Sequence, residues 1–503
     1  MIRLNTLDDL ADLSESVDVE CKLAAGADGK GRLPREFWPT YSAFANTRGG
    51  VIVLGLREDS GRFTVHGVDE ADRVITDLFN TANNPDKVNI NLLTDEHVRR
   101  LTMNGRELIA VEVPAADRKQ KPVYLNGNPL RGNTYRRLYD GDRRCDEETV
   151  RRLMAERVHD SRDIHVLKGF SLANLDPESL RAYRNMMGGF RPDHPWATVD
   201  DLSLLRALGA WRHDTETQEE GLTLAGILMW GQSPAISEAL PYYFVDYQEW
   251  PTEEEREKDV RWLDRVIPDG TWSGNLFDFY LRVVRRLFAD IKVPFALKDN
   301  IRQDDTPVHK ALREAMVNAL VHADYTDRAS VLVVKQPTGF IFRNPGVLRV
   351  PAAVALQGGA SDCRNRTLQR MFLMIGLGER AGSGMAKIQQ GWAQTGGKLR
   401  LVDSFEPFDQ TRLEMDFAKA LVETPGNALG ETPRETRGKT PGEILAVLKS
   451  HPGAVIPEIA ARLGKSESAI ERAIHKLKAE GRLARVGAKK GGRWVVTDHD
   501  ELS

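Results

Sequence analysis

Cysteine is scarce in this chain. Its 503 residues include three cysteines, Cys21, Cys145 and Cys363, which are far apart and odd in number. Such a set argues against a disulfide framework and against a cysteine zinc site. Scattered free cysteines are typical of a reducing compartment, so we expect a cytoplasmic protein.

Long apolar runs are also missing. No segment approaches the roughly 20 apolar residues that a helix needs to cross a bilayer. The first residues, MIRLNTLDDLADL, include acids where a signal peptide has a basic start and an apolar core. We therefore expect a protein that has no membrane partner.

Neither sign of charge is in large excess. The chain has 70 lysines and arginines against 73 aspartates and glutamates, which gives a formal net charge of −3. Charged residues make up 28% and apolar residues 41%, the balance of an ordinary globular protein. A surface that binds nucleic acid must therefore be a local basic patch, because the global charge cannot reveal it.

The length predicts about three domains. Thr-Pro pairs recur every eight residues at 424–425, 432–433 and 440–441, in a stretch with little apolar surface, which predicts a flexible linker. A second boundary is expected between about residues 150 and 175, where the strand and helix pattern changes. We predict α/β domains over residues 1–155 and 156–420, a linker over 421–441 and a C-terminal module over 442–503.

Apolar patterns predict the main elements of the two α/β domains. In the first domain, VDVECKL, GGVIVLGL, ELIAVEV and NTYRRL are expected strands, and REFWPTYSAFAN is an expected helix. In the second domain, LTLAGILMWG and LPYYFVDY are expected strands, and NLFDFYLRVVRRLFADI is an expected helix. GGVIVLGL is almost entirely apolar, which is typical of a central strand, and we expect this strand to place Glu58 and Asp59 at its end, where sheets usually hold their sites.

The C-terminal module has the pattern of a winged helix-turn-helix. Three amphipathic helices precede two short strands, LARVGA and RWVVT, and residues 442–497 contain 11 lysines and arginines against 5 glutamates. The third helix would enter a major groove with Arg472 and Lys476, and the wing would contact phosphates. The wing residues in this prediction are Lys489, Lys490 and Arg493. Protein docking or dimerisation is the alternative use of such a module.

One helix in the middle of the chain has an unusual polar stripe. In HKALREAMVNALVHADY, Glu314, Asn318 and His322 are four residues apart and share a helix face. The pattern indicates a nucleotide site, in which Asn318 holds Mg²⁺ and Glu314 orients or deprotonates a water. A buried polar network without a ligand is the alternative.

Two glycine-containing segments that could contact phosphates follow this helix in the sequence. NPGVL supplies Asn344 and Gly346, and GLGERAGSGMAKI supplies Gly382 and Gly384 at the start of an expected helix. Backbone N–H groups at such a start can contact phosphates. Glycine pairs alone are a weak signal, and their position after the polar helix strengthens it.

EAMVNALVHADY, NPGVL and GERAGSG together resemble the divergent GHKL-type ATPase domain of bacterial proteins described as RecG-like helicases or transcriptional regulators. The resemblance implies ATP as a ligand, Glu314 as general base, Asn318 as the Mg²⁺ ligand, and Gly382 and Gly384 in the lid. RNPGVL replaces the usual adenine-binding Asp-x-Gly-x-Gly box. No GxxxxGK[ST] phosphate loop is present, which excludes a P-loop motor. Because GHKL domains commonly pair, we expect a homo-oligomer.

SESVDVECK, near the start of the chain, places Asp18, Glu20 and Lys22 on one face of a strand. With AFANTRGGVIVLGLREDSG, it resembles the Schlafen/AlbA-like domain. The resemblance implies that three carboxylates bind Mg²⁺ or Mn²⁺ and cut RNA, with Lys22 steadying the developing charge. The carboxylates would be Glu15, Glu20 and Glu58, with Asp59 as a neighbouring substitute. Candidate contacts with the nucleic-acid backbone are Arg48, Arg136 and Arg137.

The expected fold is therefore a multidomain α/β protein with a Schlafen/AlbA-like domain, a GHKL-like α/β sandwich and a winged helix. The first functional hypothesis is an ATP-responsive, metal-dependent nuclease that acts on RNA or single strands; the resemblance also implies phage defence. The second is a non-enzymatic, ATP-responsive transcriptional regulator. The third is a nucleotide-gated scaffold.

Overall fold

In a computed structural model, the chain forms two compact units, Met1–Glu423 and Thr424–Ser503. In the first unit it describes residues 18–24, 31–59, 62–138, 141–158, 161–215, 217–289, 291, 297–298, 301–302, 306–359, 361–378 and 382–418. In the second unit it describes residues 444, 447–448, 451, 456–463, 470, 474, 477–478, 483–486 and 493–496.

The N-terminal region of the first unit is built on a four-stranded sheet with the order β1-β2-β6-β5. Strand β1 runs parallel to β2, and the other pairs are antiparallel. Its elements are β1 (Val19–Lys22), α1 (Phe37–Asn46), β2 (Gly50–Leu54), β3 (Leu56–Asp59), β4 (Arg62–Val65), α2 (Ala71–Ala82), β5 (Val98–Met103), β6 (Arg106–Val113), β7 (Tyr135–Leu138) and β8 (Gly141–Arg144).

Both faces of strand β2 are buried, which explains its nearly continuous apolar sequence. Ile52 and Leu54 belong to the same core as Phe44 of helix α1. Val51 and Val53 belong to the opposite core, against which Val19 and Cys21 of β1 pack, and this confirms the predicted alternation along β1.

The predicted position of Glu58 and Asp59 needs a correction. They were expected at the end of the central strand, but that strand ends at Leu54. Gly55, at φ +96°, turns the chain into β3, which carries both acids in a hairpin with β4. A glycine permits this turn because a side chain at that φ would be strained.

A mainly helical region follows. Its elements are α3 (Glu147–Val158), α4 (Pro177–Phe190), α5 (Asp201–Leu208), β9 (Trp211–His213), β10 (Glu220–Leu222), α6 (Leu224–Trp230) and α7 (Ser233–Ala239). The predicted strand LTLAGILMWG is wrong, because it forms helix α6. Thr223 caps this helix by accepting a hydrogen bond from the Gly226 N–H, and every residue of α6 is buried. Burial on all sides removes the helical periodicity that would have distinguished it from a buried strand.

The rest of the first unit forms a six-stranded mixed sheet with the order β12-β11-β15-β16-β18-β17. Strand β11 begins inside the predicted strand LPYYFVDY, at Val245, and ends beyond it, at Glu249. Helix α9 confirms the predicted amphipathic helix. The elements are β11 (Val245–Glu249), α8 (Glu253–Arg256), β12 (Asp264–Val266), α9 (Leu276–Phe288), β13 (Leu297–Lys298), β14 (Ile301–Arg302), α10 (Pro307–Val321), β15 (Val331–Gln336), β16 (Gly339–Pro345), α11 (Ala352–Gln357), α12 (Arg366–Met374), α13 (Gly384–Ala393), β17 (Lys398–Ser404) and β18 (Gln410–Asp416).

The second unit has its own small core. Helix α14 (Ile456–Leu463) and an antiparallel hairpin of β19 (Leu483–Val486) and β20 (Arg493–Val496) are described, and the hairpin confirms the two predicted strands. Ile470, Ile474 and Leu477 are helical, buried and spaced for one helix face. The assignment of this unit as a winged helix stays a prediction, as does the flexible character of the linker, because residues 421–441 lie outside the described residues.

Candidate functional site

Helix α10 positions the polar stripe that the sequence analysis singled out. Thr306 caps the helix by accepting a hydrogen bond from the His309 N–H, and Pro307 occupies its first position. The predicted core residues of the helix are buried in the main core: Ala311, Leu312, Ala315, Ala319 and Leu320. Ala315 and Ala319 also line a cavity, toward which the stripe is turned.

The cavity has a volume of about 820 Å³, counted with its open side. It is lined by six of the seven residues that were proposed to bind a nucleotide, and Gly346 is the exception. The six come from three segments that are distant in sequence but meet in the fold: Glu314, Asn318, His322, Asn344, Gly382 and Gly384.

Gly384 allows helix α13 to start directly against α10. A Cβ atom at this position would clash with Glu314 Oε1 and would lie 3.2 Å from Asn318 Nδ2. Glu314 is only 6% exposed. Only glycine therefore fits here without displacing the carboxylate that faces it.

Gly346 has a supporting role outside the cavity. Its φ is +85°, and a Cβ atom there would lie 2.7 Å from Arg364 Nη1. Arg364 in turn donates hydrogen bonds to the carbonyl oxygens of His322 and Val347. Gly346 thus lets Arg364 tie the end of helix α10 to the NPGVL segment.

The pKa of His322 is lowered to about 4. Burial is the main cause, the positive charges of Arg364 and Arg349 add to it, and Asp362 opposes it. His322 is therefore neutral near pH 7. Among the described residues, neither the His322 ring nor the Asn318 amide has a hydrogen-bond partner, so both can still bond a ligand.

Sequence reasoning missed two charged residues of the cavity lining, Arg349 and Asp362. Asp362 Oδ2 accepts a hydrogen bond from Arg118 Nε at 2.9 Å. Its Oδ1 is buried and accepts no hydrogen bond from the part of the chain that the structure describes. Two features of the sequence could have identified them. Arg349 directly follows NPGVL, and Asp362 belongs to the polar run SDCRNR, which comes shortly after a Gly-Gly pair.

The carboxylate of Glu156, in helix α3, lies among three arginines. Its oxygens are 2.7 Å from Arg349 Nη2, 3.1 Å from Arg364 Nε and 3.5 Å from Arg162 Nη2. Burial alone would raise the pKa of Glu156, but the three arginines outweigh burial and hold it below its usual value. Glu156 therefore stays ionised and links the helical region to the wall of the cavity.

The N-terminal strand presents part of the predicted metal site. Glu20 is 26% exposed and lies between two cations, with Lys22 Nζ at 3.1 Å and Arg137 Nη2 at 2.9 Å. Arg137 also pairs with Asp142 at 3.0 Å. Burial alone would lower the pKa of Arg137, but Glu20 and Asp142 outweigh burial and raise it, so Arg137 remains charged.

The other proposed metal ligands cannot be placed beside Glu20. Glu15 and the side chains of Glu58 and Asp59 lie outside what the structure describes. Within the described residues, no group of three or more acidic, histidine or cysteine side chains is arranged to hold a metal ion. The metal site therefore stays a prediction.

The three arginines that were proposed to contact nucleic acid have different surroundings in the structure. Arg48 is exposed, and Arg48 and Arg137 line one cleft together with Asp18. Arg136 is only 7% exposed and makes a two-pronged ion pair with Asp409, with both N–O distances at 2.8 Å. This geometry contradicts the predicted role of Arg136, because a guanidinium paired and buried in this way is not open to a phosphate.

The nucleic-acid contacts proposed for the C-terminal module are not tested. Arg472, Lys476, Lys489 and Lys490 lie outside the described residues, and only the backbone of Arg493 is described, in strand β20. Lys478 lies over the ring of Trp494 at 5.0 Å, so the third helical segment packs against the hairpin.

Comparison with known families supports the interpretation of the N-terminal region. Residues 15–146 match the family model described as Schlafen, AlbA_2, which confirms the resemblance for this part of the chain. The N-terminal domain is therefore Schlafen/AlbA-like, and this family indicates a nucleic-acid-related function. Residues 151–246 match a second model, described as a domain of unknown function, DUF8451.

Two solved structures match the chain, one over almost its whole length and one over its N-terminal part. The DIP2311 protein of Corynebacterium diphtheriae is 19% identical over 96% of this chain and 92% of its own, with a TM-score of 0.38. The N-terminal domain of a RecG-related protein from Nitrosomonas europaea is 30% identical over 28% of this chain and 90% of its own, with a TM-score of 0.21. No curated protein matches the chain.

The helices of the described part of the chain were also compared with the length and hydropathy that a bilayer requires. None of them is both long and apolar enough to cross a membrane.

Proposed function

We propose that the protein binds ATP in the cavity beside helix α10 and that ATP controls a nucleic-acid-binding N-terminal domain. The observation that carries the proposal is the convergence of Glu314, Asn318 and His322 with two glycines of a distant segment on one cavity. The six-stranded mixed sheet is compatible with the GHKL-like sandwich that the resemblance implies, and this assignment is part of the proposal.

The lining of the cavity fits a purine nucleotide. Phe342, Leu348 and Leu413 give an apolar wall for a base. Asp362 Oδ1 lies 3.6 Å from Arg349 Nη1 and from Arg366 Nη2 but accepts no hydrogen bond from the described residues, so it would accept one from an amino group. Gly384 begins helix α13 and lines the cavity beside Asn318, so the N-terminal N–H groups of this helix would contact phosphate oxygens.

Two residues of α10 would bind the metal ion and orient a water. The amide oxygen of Asn318 would bind Mg²⁺, which when present supplies positive charge against the phosphates. The carboxylate of Glu314 would accept a hydrogen bond from a water and orient it. Binding is the core of the proposal, and hydrolysis is a further expectation.

A chain of ion pairs supports control of the N-terminal domain. Arg118 belongs to that domain, and its guanidinium donates to Asp362 Oδ2 and, at 2.7 Å, to the Glu156 carbonyl oxygen. Asp362 also faces Arg349 at 3.6 Å, and both residues line the cavity. A ligand that changes the position of Asp362 would therefore change a contact made by the N-terminal domain.

The test for ATP binding is isothermal titration of the full protein with ATP and Mg²⁺. We expect Asn318→Ala to weaken binding by about tenfold or more, since one lost metal ligand typically costs this much. Asn185→Ala, an exposed asparagine of helix α4, is the matched control and should bind like the parent. Equal binding by Asn318→Ala and the parent would refute the phosphate site.

A metal-dependent nuclease is the second candidate function. The observation that favours it is the position of Glu20, a partly exposed carboxylate held between Lys22 and Arg137. Together with Glu15 and Glu58, it would bind Mg²⁺ or Mn²⁺. Lys22 and Arg137 would stabilise the negative charge that develops on a phosphate.

Cleavage of labelled tRNA, single-stranded DNA and duplex DNA tests the nuclease, with Mg²⁺ or Mn²⁺ and with or without ATP. Cleavage that is lost in Glu20→Ala supports it, and cleavage that persists in Glu20→Ala rejects the metal site. Nucleic-acid binding without cleavage, dependent on residues 442–503, would instead favour the transcriptional regulator. The expected homo-oligomer is checked by light scattering on the same samples.

A further inference from the structure

A broad open groove lies on the N-terminal domain, beside the start of helix α1. It encloses about 1800 Å³ counted with its open side, more than twice the volume of the nucleotide cavity. Leu23, which directly follows strand β1, lines it, so the groove begins where the strand of Glu20 and Lys22 ends. The polar and aromatic lining that matters here is Arg32, Arg35, Trp38, Asn80, Lys87 and Asn126.

The three cations of the groove have no partners among the described residues. Arg32, Arg35 and Lys87 are exposed, and none of them makes an ion pair or a side-chain hydrogen bond to a described residue. Asp77 is the one acidic residue of the described lining, and it pairs with none of them. The described lining of the groove therefore carries a net positive charge, with three cations against one acid.

Trp38 gives the groove a fixed aromatic surface. Its ring packs edge to face against Phe37 at 5.1 Å and Tyr41 at 5.7 Å, and both of those rings are fully buried. Trp38 itself is only partly buried, so one side of its indole is held by the core while the rest lines the groove. A rigid indole beside cations is suited to stacking on a base.

We propose that this groove binds single-stranded nucleic acid, with phosphates on Arg32, Arg35 and Lys87 and a base on Trp38. Stacking requires an unpaired base, which favours a single strand over a duplex, and the amides of Asn80 and Asn126 can bond base edges. An acidic peptide would use the cations but would not need the indole. The inference rests on the proposed nucleic-acid function of the domain and assigns it a surface.

Fluorescence anisotropy of the full protein with a labelled single-stranded 20-mer, without ATP, tests the groove. Replacing Arg32, Arg35 and Lys87 by Ala should weaken binding by about tenfold or more and reduce the salt slope by about two, because each phosphate contact contributes about 0.7 for single strands. Trp38→Leu, which preserves apolar packing, should weaken binding by about 5- to 150-fold and leave the salt slope unchanged.

The matched control removes three other exposed arginines that are engaged in ion pairs. The triple Ala variant at Arg151, Arg181 and Arg206 has the same net charge as the groove variant and should bind like the parent. Loss of binding in this control as large as in the groove variant would show a general charge effect and overturn the assignment.

The remaining outcomes separate the two proposals. If the parent binds no nucleic acid, the proposed function fails and the groove assignment fails with it. If the parent binds and the groove variants bind equally well, the function stands and the groove is wrong. If a labelled polyglutamate peptide competes with the 20-mer and Trp38→Leu has no effect, the groove binds acidic peptides and the nucleic-acid assignment is overturned.

Discussion

The N-terminal domain uses its positive charges in two different ways. Arg118, Arg136 and Arg137 are largely buried and pair with acids, two of them with acids from the region beyond this domain. Arg32, Arg35 and Lys87 are exposed and unpaired within the described chain. The same residue types therefore hold the fold together in one place and leave a charged surface open in another.

Burial decides between these two uses. A charge removed from water is costly unless an opposite charge and hydrogen bonds replace the solvent, so a buried arginine needs an acid beside it. An exposed cation is solvated and needs no partner. Pairing, which the fold determines, is therefore a better guide to a nucleic-acid interface than the presence of arginine in the sequence.

The largest expected effect comes from breaking a buried pair. Arg136→Met leaves Asp409 buried without its partner, and we expect the free energy of unfolding to fall by about 3–5 kcal/mol. Urea unfolding monitored by circular dichroism measures it. The double variant Arg136→Met with Asp409→Leu should recover most of the loss, and a fall below about 1 kcal/mol in the single variant would show that the pair is not essential.

The second prediction concerns His322, a half-buried histidine that stays uncharged beside two arginines. Its folded pKa of about 4 lies below the unfolded value of about 6.5, so between these pH values the unfolded state binds the proton. Stability should therefore fall as the pH drops from about 6.5 to about 4, with His322 contributing about 1–3 kcal/mol of the loss. His322→Gln should lose less stability than the parent between about pH 7 and pH 5 in thermal unfolding. Identical pH profiles would contradict the prediction.

The third prediction tests whether a paired arginine, Arg118, couples ATP binding to nucleic-acid binding by the N-terminal domain. Arg118→Gln removes the ion pair with Asp362. The difference between the free energies of oligonucleotide binding with and without ATP should therefore shrink by about 1 kcal/mol or more. Arg151→Ala, in the exposed pair with Glu147, is the control and should keep the parent ratio. An unchanged ratio in Arg118→Gln would mean that the two regions are not coupled through this contact.

The smallest expected effect is on the unpaired cations. Arg32→Ala and Arg35→Ala should each change the free energy of unfolding by no more than about 0.5 kcal/mol, since these exposed side chains have no partner among the described residues. Thermal unfolding of each variant provides the measurement. A loss above about 2 kcal/mol would show that these residues are structural and would remove the contrast with Arg136.

Local patterns predicted many elements correctly. The stripe of Glu314, Asn318 and His322 was visible because helical periodicity is a local property. The alternation along β1 was visible for the same reason. LTLAGILMWG was assigned wrongly because helix α6 is buried on every side and has no periodicity to detect.

The candidate sites were predictable only where motifs carried them. Glu314 and Asn318 were found from their helical spacing, Gly382 and Gly384 from their position after that helix, and all four line one cavity. Arg349 and Asp362 were missed, since neither belongs to a motif and both enter the cavity through the packing of distant segments. Trp38 was missed as well, because a tryptophan in a helix is normally part of a core.

The sequence by itself determined the strands and helices that local periodicity marks, the Schlafen/AlbA-like character of the first domain and the polar stripe of α10. Only the tertiary structure decided which cations are neutralised and which remain open. The reason is distance along the chain: Arg136 and Asp409 are 273 residues apart, and Arg118 and Asp362 are 244 apart. No local pattern can pair such residues, because their contact exists only once the chain has folded and buried them together.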